Sequence, residues 1–229
     1  MELILKNGAM TEEFDLKKGA VTSIQSGNVK NILINLRKDY DVVYINNSDP
    51  YFVGSSILGE IDYYTNRQAD YELVDSILRV LDFNNDFLNR SIFELSHTEK
   101  IFLNVIRNVV LNKEIVVFDD IFSMLDFYSQ KRIKSLLNYL KDNDYVIIIT
   151  SRDCNVLYSL AQYSIIWNKN FFRYDTCDSI YTDVKTLVDN KFTVPTLPLI
   201  TYKAKTDKNV KLFYNKDVRD IIKDIYKHV

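Results

Sequence analysis

Ile115-Val116-Val117-Phe118-Asp119-Asp120 is the stretch on which the fold turns. Four consecutive apolar residues, three of them β-branched, stopped by two carboxylates, describe a strand buried on both faces. Comparable runs occur at Val21 to Ile24, Asp41 to Ile45, Tyr145 to Thr150 and Tyr163 to Trp167. Helical patterns stand between them, clearest from Phe127 to Leu140. Buried strands alternating with helices imply an α/β fold with a mostly parallel sheet covered on both faces. In open sheets of this kind ligands sit at the carboxyl ends of the strands, where Asp119 and Asp120 fall. Two adjacent carboxylates repel unless a cation or partner offsets them. In a phosphate-binding site the first would hold a metal and the second would orient an attacking water. The competing reading is a solvated turn at a strand end.

The rest of the chain divides into three parts. Glu2 to Lys6 and Glu13 to Lys17 alternate and are joined across Asn7-Gly8, a pair that accepts positive φ cheaply, so an N-terminal antiparallel piece is expected, ending at Gly19. Residues 55–112 read as a mostly helical subdomain. There Leu73, Ile77, Leu78 and Leu81 share one face, as do Phe102, Val105, Ile106 and Val109. Past residue 188 the pattern changes: Pro195 and Pro198 flank a short apolar segment, Lys203 to Lys211 is polar, and Val218, Ile221, Ile222 and Ile225 mark a last helix with Asn215 as its N-cap. The expected organisation is one domain over 1–188 and a small C-terminal appendage over 189–229, with no internal repeat.

Composition narrows the function. At 47% hydrophobic the chain is too apolar to be disordered. Twenty-nine basic against 31 acidic residues is too even a balance for a protein built on phosphate-backbone contacts, so no nucleic-acid partner is expected. Cys154 and Cys177 lack the paired spacing of a zinc site and read as buried or half-buried free thiols in a reducing compartment. MELILKNGAM has no basic segment followed by an apolar stretch, so no signal peptide is expected. With no stretch near the ~18 apolar residues of a membrane span, a soluble or peripheral protein is expected.

The order of short motifs adds a resemblance. Leu95-Ser96-His97-Thr98-Glu99-Lys100 precedes the double aspartate and opens a helix carrying Arg107. Ser123-Met124-Leu125-Asp126 follows it, and Thr150-Ser151-Arg152-Asp153 stands after the next strand. This succession resembles the nucleotide-binding subunit of an ABC transporter, over roughly residues 12–175. Leu95 to Lys100 is similar to the signature motif, Phe118-Asp119-Asp120 to the Walker B end, Leu125-Asp126 to the D-loop, and Ser151-Arg152-Asp153 to the switch segment. Gly27-Asn28-Val29-Lys30-Asn31 falls where Walker A belongs, and Tyr44-Ile45-Asn46-Asn47 at the Q-loop. Phe52-Val53-Gly54-Ser55-Ser56-Ile57 with Glu60-Ile61, and the tail after Pro195, are similar to ATPase subunits of energy-coupling factor (ECF) importers.

The resemblance implies a P-loop NTPase-like fold of the ABC ATPase type, with ATP and Mg2+ as cofactors. Asp119 and Asn31 take the metal-ligand places. Asp120 and Arg152 take those of the catalytic Glu and the switch His. Gly27, Lys30, Asn31, Asn47, Ser96 and Asp126 take nucleotide-binding places. The implied partners are a second ABC ATPase subunit, a transmembrane coupling subunit docked on the groove at 47–95 and, indirectly, a substrate-binding membrane subunit. The implied location is the cytoplasmic face of a membrane, and the implied task is ATP-driven uptake of a vitamin or metal ion. The tail would help two ATPase subunits pair.

Several stations depart from the family pattern. A phosphate loop of the form G-x-x-x-x-G-K-[ST] needs glycines so that main-chain N–H groups can wrap the anion. Counting back from Lys30, Val29 replaces the second glycine, Ile24 the first, and Asn31 the magnesium-binding hydroxyl. Phe14 reads as core and not as the adenine-stacking aromatic. Asp120 is one methylene shorter than Glu, and Arg152 cannot accept a hydrogen bond as neutral histidine can. A subunit whose own site is impaired is therefore expected. An active Mg-ATP hydrolase using Lys30, Asp119 and Asp120, and a non-transport interaction platform, are the alternatives.

Overall fold

The computed structural model describes residues 1–7, 10–46, 48, 51–212 and 217–226. Expectations for Gly8, Asn47 and Asn215 lie outside these residues.

The run that decided the class is strand β5 (Ile115–Asp119). Its side chains alternate between two hydrophobic clusters: Ile115 and Val117 enter one, Val116 and Phe118 the other. Strand β6 (Val146–Thr150) divides the same way, Val146 and Ile148 against Ile147 and Ile149. A period-2 backbone delivers a continuous apolar run to both faces, so both must be covered. With β3 (Ala20–Ser26), β4 (Val42–Asn46), β7 (Tyr163–Trp167) and β8 (Phe172–Thr176), these strands form a six-stranded sheet of order β4-β5-β6-β3-β7-β8. All neighbours pair parallel except β7 with β8. The mostly parallel α/β architecture agrees with the sequence reading. The edge strand β8 has no counterpart in that reading, because Phe-Arg-Tyr-Asp-Thr carries no apolar run.

One face is covered by helix α1 (Val29–Asp39), through Ile32, Leu33 and Leu36, and by the antiparallel pair β1 (Glu2–Asn7) and β2 (Met10–Asp15). Asn7 stands opposite Met10, so the second strand begins earlier than its charge alternation suggested. Gly19, at φ +64, turns the chain into β3 while its N–H reaches the Tyr145 carbonyl at 3.0 Å. Phe14 is core, as expected, its ring 5.1 Å from Phe172 and 6.1 Å from Trp167.

The other face carries α2 (Ile57–Tyr64), α3 (Tyr71–Val80), α4 (His97–Val109), α5 (Phe127–Asp142) and α6 (Cys154–Leu160). Phe102, Val105, Ile106 and Val109 are fully buried along α4; removing such side chains from water contributes about 1.5–3 kcal/mol each. Both cysteines are buried free thiols. Among the described residues no helix is long and apolar enough to cross a membrane.

Beyond β8 come α7 (Cys177–Thr182), α8 (Val184–Asp189), α9 (Thr196–Lys208) and α10 (Val218–Ile225). α9 extends through the polar residues up to Lys208. Pro198 is tolerated in its first turn, where N–H groups lack an intrahelical acceptor in any case. The N-cap of α10 is Asp217, whose carboxylate accepts from the Arg219 N–H.

Candidate functional site

Strands β3, β5 and β6 end side by side, and the space beyond their carboxyl ends is a cleft of about 390 Å³. Gly27, Lys30, Asp119, Asp120 and Arg152, all singled out from sequence, line it. The lining also includes Thr150, quoted from sequence only as the residue before the switch segment, and Gln25, Lys191, Phe192 and Thr193, which sequence reasoning missed.

Asp119 closes β5 with both oxygens engaged. The Tyr44 hydroxyl donates to Oδ2 at 2.5 Å and the Thr150 hydroxyl to Oδ1 at 2.5 Å. Register explains the convergence: Thr150 pairs directly with Asp119, and Tyr44, opposite Val117, is a diagonal neighbour within reach of a long side chain. Burial first, and then the bond to Asp119, push the Tyr44 phenol well above its ordinary range, so it remains a donor.

Asp120 takes a left-handed backbone, φ 53 and ψ 29, a conformation that Asp tolerates better than bulkier residues. The residue is 9% exposed. Its N–H donates to the Thr150 carbonyl at 3.1 Å, and its carboxylate accepts from the Arg152 N–H at 3.3 Å. The Arg152 guanidinium stands 3.3 Å from Oδ2 but is 87% exposed. Such a solvent-facing pair orients the carboxylate and contributes little stability.

At the other wall, Ile24, Gln25 and Ser26 are strand residues, in register with Ile165, Ile166 and Trp167 of β7. Ile24 is buried in the core. Gly27 and Asn28 alone join β3 to α1, and a side chain at Gly27 would meet nothing within 4 Å. Lys30 is exposed in the first turn of α1. A triphosphate entering here would meet the Lys30 ammonium. The main chain at 24–26 is paired with β7 on one side, while its pairing with β6 ends at Ser23.

Asn31 is exposed and lies outside the cleft lining. Ser96 and Asp126 also lie outside it, at helix starts. Ser96 caps α4 in a capping box: its N–H and hydroxyl donate to Glu99 Oε2 at 2.9 and 2.8 Å, and its oxygen accepts from the Glu99 N–H. Arg90 beside Glu99 holds that carboxyl below its usual range. Asp126 caps α5, accepting from the Ser129 N–H at 2.8 Å. Among the described residues no cluster of His, Cys, Asp and Glu is arranged to hold a metal.

A second constellation lies under the segment at 51–54. Glu60, fully buried, accepts from the Val53 and Gly54 N–H groups at 2.8 Å each, and pairs with Arg107 at 2.5 Å. Arg107 also donates to the Tyr51 carbonyl at 2.7 Å and sits over the Phe52 and Tyr64 rings. Tyr51 and Val53 are left 92% and 66% exposed.

Among solved structures, the ATP-binding subunit of an ABC transporter aligns with TM-score 0.62 at 13% identity, covering 80% of this chain and 91% of that one. CbiO1 of Clostridium perfringens, part of the ABC transporter complex cbiONQ, aligns with TM-score 0.62 at 13% identity, covering 87% and 96%.

The fold is that of an ABC transporter ATP-binding subunit.

In sequence the chain is similar to the energy-coupling factor transporter ATP-binding protein EcfA2 of Mycoplasma mobile, 22% identical over 173 residues, which are 75% of this chain and 56% of that protein. It is also similar to EcfA2 of Staphylococcus aureus, 23% identical over 158 residues, 68% of this chain and 55% of the relative. The aligned region thus spans little more than half the length of these curated relatives. No family model matches the chain.

Proposed function

We propose that this chain is an ATP-binding-type subunit of an ECF-like importer whose own nucleotide site is impaired. It pairs with a second, competent ATPase subunit at the cytoplasmic face of a membrane. The observation that carries this reading is the register of β3 with β7 through Ser26, which leaves two residues where a phosphate loop needs a run of free amides. Hydrolysis of ATP rests almost entirely on positioning and electrostatics, so a missing cradle acts on the rate directly. The engaged oxygens of Asp119 point the same way. No hydrolytic step is assigned to this chain. Its share is to complete the partner's site: Ser96 and the positive end of α4 would face a triphosphate bound on the other subunit.

The reading extends to coupling and pairing. The exposed Tyr51 and Val53, held in place by Glu60 and Arg107, form part of the dock for a transmembrane coupling subunit, which in turn contacts a substrate-binding membrane subunit. The cargo class, a vitamin or metal ion, is carried over from the ECF resemblance. Residues 189–229 form the pairing appendage.

The purified chain is expected to release phosphate from Mg-ATP no faster than buffer. Turnover above background that disappears in Asp120→Asn would overturn the impaired-site reading in favour of an active hydrolase, the alternative suggested by Lys30, Asp119 and Asp120 sharing one cleft. Removing residues 196–229 is expected to shift subunit pairs toward single subunits in light scattering while the far-ultraviolet spectrum keeps its α/β shape. Pairing that survives the truncation would exclude the tail from that role.

A further inference from the structure

The cleft is bounded partly by a segment from far along the chain. Lys191, Phe192 and Thr193 line it beside Lys30 and Asp119. We propose that residues 190–194 are a built-in strap across the phosphate end of the cleft, fastened by Gln25 to Thr193, which a polyanion must unfasten to enter. The proposal rests on the reading of this cleft as the counterpart of a nucleotide site.

Local chemistry directs the strap there. Two residues past the end of α8 Lys191 takes φ 62, its N–H on the Val188 carbonyl at 3.0 Å and the Phe192 N–H on the Leu187 carbonyl at 2.9 Å. A left-handed residue followed by such closing bonds reverses the chain at a helix end. The reversal turns Phe192 back onto the main core, its ring 6.1 Å from Phe171. Asn168 donates its amide to the Asn190 carbonyl at 2.8 Å, and the Thr196 N–H donates to the Asn155 side chain at 2.7 Å. The strap is therefore pinned at both of its ends.

Its middle fastening is Gln25, on the strand that stands at the phosphate-loop position. The Gln25 amide nitrogen donates to the Thr193 carbonyl at 3.2 Å and to the Thr193 hydroxyl. A carbonyl can only accept, so the orientation of the amide is fixed. The Gln25 carbonyl oxygen is then buried without a partner among the described residues. A buried acceptor left unmade costs free energy, so this fastening is weaker than its bonds alone suggest. A polyanion drawn by Lys30 and Lys191 would compete with Thr193 for the same wall. Release of Thr193 frees the chain leading into α9. Cleft occupancy and tail attachment then oppose each other, and linkage makes the opposition reciprocal.

The test is calorimetric titration of the full chain with sodium tripolyphosphate, which probes the phosphate end without a base. It is read together with hydrogen exchange over 190–208. Gln25→Ala is expected to bind at least ~5-fold more tightly than the wild type, the lower end of ordinary coupling. Thr193→Val, which removes the hydroxyl contact at nearly constant volume, should change affinity in the same direction by less. Tripolyphosphate should raise exchange at 190–196 in the wild type, whereas in Gln25→Ala that exchange is high beforehand. Equal affinity in wild type and Gln25→Ala, binding by neither, or exchange unmoved by the ligand overturns the strap. Turnover takes no part in these readouts. An active enzyme would therefore refute the impaired-site reading while the strap stands or falls on the tripolyphosphate affinities and the exchange at 190–196.

Discussion

Replacing Arg107 by alanine is expected to lower the unfolding free energy by about 3–5 kcal/mol, the usual cost of removing one partner from a buried ion pair. Glu60 is fully buried and Arg107 nearly so. Deleting the guanidinium strands one carboxylate oxygen in the core, frees the Tyr51 carbonyl and leaves Asn104 Oδ1 with the Asn108 amide as its donor. Glu60 Oε2 keeps its two N–H donors, which holds the loss within that range. Arg107→Lys should recover part of it, since an ammonium restores the charge but not the fork that reaches Glu60, Tyr51 and Asn104 together. The measurement is the urea midpoint at constant slope. A loss under about 1 kcal/mol would mean that water reaches Glu60 when Arg107 is gone.

The second large effect belongs to the same segment. A Cβ on Gly54 would lie 2.6 Å from the Glu60 nitrogen, 2.9 Å from the Gly59 carbonyl carbon and 3.0 Å from the Glu60 Cα. All three are backbone atoms that cannot swing aside. Gly54→Ala must push the 51–54 segment off the start of α2, with a cost of about 1–3 kcal/mol by the measure of overpacked cores. It should also loosen the two N–H bonds to Glu60 that hold Val53 and Gly54. Chemical denaturation checks the first consequence. Faster hydrogen exchange confined to 51–56 checks the second. Wild-type stability in Gly54→Ala would show that the segment has room to shift, and the close approach would lose its significance.

Both substitutions act on the segment proposed above as part of a coupling dock, whose residues are not among those lining the cleft. The chain invests buried charge in fixing Tyr51 and Val53, and at the cleft it has a short connection and an exposed lysine. That contrast supports the proposal of a subunit kept for coupling more than for chemistry.

Much of this could be read in the chain. The apolar runs at 115–118, 146–149 and 163–167 needed burial on both faces, and period 2 made that a covered parallel sheet before any coordinates. The positions of Asp119 and Asp120 at a strand end, and of helices opening at 95–100 and at Phe127, followed from residue type and local order; that Ser96 and Asp126 cap those helices came from the structure. Ile24 and Val29, at the places that the resemblance gives to glycine, were legible as well, and they underlie the proposal of an impaired site. The edge strand β8 was not, because its partly exposed residues carry no hydrophobic period. Nor was the full length of α9, whose lysines and threonines read as a turn.

Local sequence thus determined which segments are strands and helices, and which side chains end up at their termini, because those outcomes depend on neighbours within a few residues. Tertiary structure alone decided what surrounds the cleft. Tyr44 and Thr150 reach Asp119 only because β4 and β6 flank β5 in one particular register. Thr193 reaches Gln25 across 168 residues of chain. No periodicity marks such a meeting, since contacts between distant segments are set by how the whole core closes.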